Sequence, residues 1–104
     1  MSREHLPNRR PNETQQFERD GVRVRMTVGF REDGSICEIF LNADRSNSML
    51  DILLCDAAIA LSLALQHGVP LRQLIHAVKR DRYGLASSPI GAALDRICPP
   101  EALP

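Results

Sequence analysis

Between Val22 and Phe30 apolar and polar residues alternate without a break. Val22, Val24, Met26, Val28 and Phe30 share one face, and Arg23, Arg25, Thr27 and Gly29 the other. Period two over nine residues predicts a half-buried strand. Asp20-Gly21 before it and Glu32-Asp33-Gly34 after it are turn signals. Strands are therefore expected at residues 14–20, anchored by Phe17, and at residues 36–41, where Cys37, Ile39 and Leu41 share a face. Together they make a three-stranded antiparallel meander, in which Glu38 is expected across from Arg23 or Arg25.

From Ser48 the period becomes helical. Ser48, with Asp51 three residues on, is a capping-box start, and Gly68 and Pro70 close the run. Leu50, Leu53, Leu54, Ala57, Leu61 and Leu65 form one stripe, which Met49, Ile52, Ile59 and Leu63 widen. A helix apolar most of the way round is expected to be covered on more than one side. Asp51 and Asp56 keep any uncharged run short of the roughly 18 residues of a membrane span, which predicts the central helix of a soluble domain. Asp56, if buried, calls for an arginine from the sheet. A second helix begins at Pro70, with Leu71, Leu74, Ile75 and Val78 inward, and ends at Tyr83-Gly84. Ser88-Pro89 opens a third, carrying Ile90, Ala93, Leu94 and Ile97.

The expected fold class is α+β: a three-stranded antiparallel meander followed by two or three helices packed on one sheet face. Residues 1–12 read as a flexible arm, 13–98 as a single domain and 99–104 as a tail. Three strands leave sheet edges, so a homodimer through an edge strand or through the central helix is expected.

Composition narrows the function classes. The 104 residues carry 13 basic and 13 acidic side chains, so net charge gives no general pull toward nucleic acid or membrane. Residues 1–11 hold no apolar run, so no signal peptide is expected, and a cytoplasmic location follows. Cys37, Cys55 and Cys98 are odd in number and lack CxxC spacing, which argues against a disulfide framework and a zinc site. No metal and no cofactor are expected. Cys37 and Cys55 fall at core positions, which leaves Cys98 as the candidate reactive thiol.

Other candidates are weaker in chemistry. His5, His67 and His76 have no nucleophile placed beside them by spacing. Ser87 and Ser88 at a helix start, with Lys79, Arg80 and Arg82 upstream, form a candidate anion site, although the same pattern is a good N-cap. Arg9, Arg10, Arg23, Arg25, Lys79, Arg80 and Arg82 suit a nucleic-acid surface in charge. Stacking partners are few, however: the chain has three Phe, one Tyr and no Trp.

Three phrases in register carry a resemblance: LPNRRPNETQQF (6–17), TVGFREDGSICEIFL (27–41) and AIALSLALQHGVPL (58–71). The chain resembles the TSCPD domain, the C-terminal domain of adenosylcobalamin-dependent ribonucleotide reductases, over residues 6–97. The resemblance implies kinship with a reductase whose catalytic barrel and cysteine pairs are not in this chain, so reduction of ribonucleotides by the chain alone is not expected. It also places Leu6, Arg9 and Arg10 in the segment that joins barrel to tail, which makes them the candidate partner-binding residues. The expected function is a non-catalytic accessory or regulatory domain acting by contact with a protein, a ribonucleotide reductase chain. The alternatives are a nucleotide or nucleic-acid binding module using the phosphate candidates, and a thiol-dependent redox partner using Cys98.

Overall fold

The computed structural model describes residues 12–98. The expected α+β arrangement is present: strands β1 (Asn12–Arg19), β2 (Val22–Phe30) and β3 (Ile36–Ala43), then helices α1 (Met49–Gln66), α2 (Leu71–Ala77) and α3 (Pro89–Ile97). The chain divides into two compact units at the junction of Val69 and Pro70. Of the proposed flexible arm, Asn12 opens β1; the rest of it, with His5, Leu6, Arg9 and Arg10, and the tail at 99–104 lie outside the described residues.

In the first unit the sheet order is β1-β2-β3, all antiparallel. Arg19 pairs with Val22, so Asp20 and Gly21 form a two-residue turn, with φ of 53° and 80°. Positive φ at both positions is the type I′ geometry, whose twist matches that of the strands it joins. The second turn is held by Asp33, whose Oδ1 accepts from the Ser35 N–H (2.9 Å) and hydroxyl (2.6 Å). Val24, Met26, Val28, Cys37, Ile39 and Leu41 are buried, the face that the alternation predicts.

The register differs from expectation at Glu38, which lies opposite Gly29; Arg25 faces Asn42 and Gln16, and Arg23 faces Glu18. β3 runs two residues further than expected and a register shift at Gly29/Phe30 moves the pairing, neither of which is written in the alternation itself.

α1 starts as expected at Ser48, whose Oγ accepts from the Asp51 N–H. It ends with Gly68 at φ 96°, the left-handed residue that closes many helices. Its buried stripe keeps only Leu54 and Leu65 of the one expected. Asp51, Leu54, Ala58, Ser62, Leu65 and Gln66 are buried, whereas Met49, Ile52, Leu53 and Ile59 are exposed. Asp56 is exposed and needs no buried arginine; the buried acid of α1 is Asp51, and Glu38 on β3 is buried as well.

In the second unit α2 stops at Ala77, where Val78 turns extended, rather than reaching Tyr83-Gly84. The chain then forms a loop closed by an isolated bridge between Arg80 and Ala86. Ser88 caps α3 by accepting from the Gly91 N–H at 3.0 Å, with Pro89 in the first turn. Ile75, Ala86, Ala93 and Leu94 are buried there. At Gly91 a Cβ would lie 3.0 Å from the Ala86 Cβ and 3.3 Å from Val78, so only glycine fits without movement.

Candidate functional site

The most specific side-chain arrangement is the seam between α1 and β3. The Asp44 N–H donates to the Arg23 carbonyl, which fixes the even positions of β3 as those bonded to β2. The odd positions therefore turn their backbone groups away from β2, and side chains of α1 meet them. Gln66 Nε2 donates to the Cys37 carbonyl at 3.1 Å. Ser62 Oγ accepts from the Ile39 N–H at 2.9 Å and lies 3.0 Å from the Ile39 carbonyl, to which its hydroxyl donates. Cys55 Sγ donates to the Leu41 carbonyl at 3.4 Å, and Asp51 Oδ1 accepts from the Ala43 N–H at 2.8 Å. Asp51, Cys55, Ser62 and Gln66 lie within about 60° of one another around a helix at 100° per residue. α1 thus stands in for a fourth strand along much of the β3 edge, and β1 is the sheet's other edge.

Asp51 is the polar centre of that seam. Its second oxygen accepts from the Asn47 N–H at 2.9 Å. Bonds from the Asn47 and Ala43 N–H groups and from Asn42 hold its carboxyl below the usual carboxylate range, against the opposing pull of burial. The capping box is therefore only half formed: Ser48 takes the Asp51 N–H, but the Asp51 carboxylate serves Asn47 and Ala43. Burial, then the charges of Asp51 and Asp56, push the Cys55 thiol above its ordinary pKa. Cys55 is half-buried, like Cys98, so Cys98 is not alone in being partly accessible. Cys37 is fully buried beside the Gly29 carbonyl. None of the three is in a disulfide.

Beside the seam runs a groove of about 360 Å³, lined among others by Phe40, Asn42, Cys55 and Ile59. Ile59 also belongs to the outer face of α1. There Met49, Ile52, Leu53 and Ile59 are 45 to 71% exposed, and Phe40 on β3 is 51% exposed. Asp56 stands among them. On length and composition alone α1 would be apolar enough to cross a membrane. Its inner polar side chains are bonded to β3.

The anion candidates separate in the second unit. Arg80 is held by Asp95 in a fork, at 2.6 and 2.8 Å, and also donates to the Ile75 and Gly84 carbonyls. Asp95 holds its guanidinium above its ordinary pKa against some desolvation. Arg82 lies over the Tyr83 ring, 4.9 Å from its centroid. Ser88 Oγ is engaged as the α3 cap, and the Ser87 N–H donates to the Lys79 carbonyl. Lys79 and Ser87 are exposed. His67 caps the C-terminus of α1, and His76 is exposed in the last turn of α2. Among the described residues no three His, Cys, Asp or Glu side chains gather as a metal site.

Pattern reading missed Ser62 and Gln66 altogether. The signal was present: of the polar interruptions of α1, Asp51, Cys55, Ser62 and Gln66 recur on one helical face, and only Asp56 falls outside it.

Against this geometry, the model of the TSCPD domain family matches residues 2–99. The chain belongs to the TSCPD family. Its similar proteins include vitamin B12-dependent ribonucleotide reductases. That of Agrobacterium fabrum is 40% identical over 75 residues, covering 72% of this chain and 6% of the reductase. That of Bradyrhizobium diazoefficiens is 36% identical over 81 residues, covering 78% and 6%. That of Streptantibioticus cattleyicolor is 32% identical over 90 residues, covering 84% and 15%. The TSCPD chain thus spans a small fraction of the length of these relatives. No solved structure matches it.

Proposed function

We propose that this TSCPD domain is a non-catalytic accessory or regulatory domain that acts by protein contact, with a vitamin B12-dependent ribonucleotide reductase chain as its partner in deoxynucleotide synthesis. The observation that carries the contact is the outer face of α1. Met49, Ile52, Leu53 and Ile59 lie exposed on an otherwise well-bonded helix, and Phe40 extends the patch across the groove. Contiguous exposed apolar surface of this kind marks interaction sites. Asp56 is the charge set into that face. Two copies packed face to face through it would oppose like charges, whereas a foreign partner can offer a Lys or Arg there. Similarity to segments of reductases supports the choice of partner.

Titration of the purified full chain against the purified reductase tests the proposal, with Ile59→Asp and Leu53→Asp as face variants and a joint Arg9→Ala, Arg10→Ala variant for the arm. Saturable binding by the wild type, lost in the face variants, is the expected result. No binding by the wild type overturns the proposal. Binding lost only in the arm variant moves the contact to Leu6, Arg9 and Arg10.

A further inference from the structure

The loop that follows α2 is built as a rigid finger. Asp81 Oδ1 accepts from the Tyr83 N–H at 2.8 Å and the Leu85 N–H at 3.0 Å. The Asp81 N–H donates to the Leu85 carbonyl at 2.9 Å, and the Gly84 N–H to the Asp81 carbonyl at 3.0 Å. Gly84 takes φ 84°, which lets the turn close. Below the tip, the Arg80 guanidinium joins the Gly84 carbonyl to Asp95 of α3 and to the Ile75 carbonyl of α2, and the Arg80–Ala86 bridge shuts the base. Five hydrogen bonds, besides the bridge, are thus spent on fixing one turn.

What that turn displays adds little to the core. Tyr83 is 73% exposed and Leu85 63% exposed. Arg82 lies over one face of the Tyr83 ring, and its Nη2 donates to the Tyr83 hydroxyl at 2.8 Å. A rigid tip carrying Tyr and Arg has the composition of an interface anchor, and its preformed shape lowers the ordering cost of binding. The Arg80 charge is matched by Asp95, whereas the exposed Asp81 keeps its charge while accepting from neutral N–H groups, so the finger carries Arg82 at its tip and Asp81 at its neck.

We infer that residues 81–85 form an insertion finger, with Tyr83 and Leu85 entering an apolar pocket of a protein partner and Arg82 meeting a carboxylate at its rim. The finger rests on the protein-contact reading and adds to it a contact element of the second unit.

Surface-immobilised B12-dependent reductase, with the full chain in solution, tests it. Tyr83→Ser and Leu85→Ser are each expected to weaken binding about ten-fold or more, the scale of a lost interface anchor. Arg82→Glu should weaken it further, most at low salt. These side chains are exposed, so unchanged circular dichroism and melting confirm that the variants fold. Unchanged affinity in all three variants, while Ile59→Asp abolishes binding, overturns the finger and leaves the accessory reading intact. Failure of the wild type to bind overturns both. Tyr83-dependent binding of a labelled oligothymidine, without reductase binding, replaces the protein pocket by a stacked base and overturns the finger as drawn.

Discussion

Ser62 on α1 answers both backbone groups of Ile39 on β3, taking its N–H at 2.9 Å and giving its own hydrogen to the carbonyl at 3.0 Å. One hydroxyl does what a paired residue of a fourth strand would do. Both groups are buried, so their alternative to Ser62 is water entering from the groove or no partner.

Ser62→Ala is therefore expected to cost more than a surface hydroxyl would. Leaving a buried donor and acceptor unpaired costs about 1–3 kcal/mol for each, less whatever water enters beside the groove. A loss of about 2 kcal/mol in urea unfolding, with unchanged m-value, is expected. A loss under about 0.5 kcal/mol would show that the seam does not hold the β3 edge.

Asp51 makes the same seam sensitive to acid. Its folded pKa lies below the ordinary value of 3.8, because the Asn47 and Ala43 N–H groups favour the carboxylate. The stabilisation is complete above the unfolded pKa and is lost as pH falls through the folded one. Asp51→Asn turns an amide donor toward groups that already donate. The gap in unfolding free energy between wild type and Asp51→Asn should be constant from pH 7 to about 5 and narrow below about 4. A gap that does not change with pH would remove the carboxylate from this role.

Cysteine chemistry follows from the same residues. Burial and the two aspartates hold Cys55 in its thiol form, and Cys37 is enclosed. Alkylation by iodoacetamide, read by mass spectrometry at pH 7.5, should be slow at Cys55 and slowest at Cys37. Asp56→Asn should quicken Cys55 without touching Cys37. Equal labelling of all three cysteines in the folded chain would contradict this order.

The meander was legible because β2 alternates strictly and Asp20-Gly21 can take two positive φ values, so period and turn chemistry agree. α1 was legible as a helix but not in its orientation. Leu50, Leu53 and Leu61 suggest one inner face by hydrophobicity, yet Asp51, Ser62 and Gln66 lie inward because the β3 edge needs donors and acceptors more than it needs methyl groups. Hydrophobic periodicity ranks such residues as outward and cannot see a backbone edge brought near by tertiary contact. The helical pattern overruns α2 for a related reason: Arg80 and Asp81 fit it, but Arg80 bonds to Asp95 of α3 and to the Ile75 and Gly84 carbonyls, and Asp81 to the loop that follows.

Arg80 shows how much of the second unit depends on guanidinium shape. Its fork on Asp95 leaves donors for the Ile75 carbonyl, one of the unpaired carbonyls near the end of α2, and for Gly84. A lysine offers one point charge and cannot span the three sites at once. Arg80→Lys should therefore loosen the finger almost as much as Arg80→Ala, and cleavage at 79–86 in limited proteolysis should become faster in both. The exchange Arg80→Asp with Asp95→Arg restores the charge pair but caps neither carbonyl, so it should not restore protection. Full protection in the exchanged chain would mean that the ion pair alone fixes the loop.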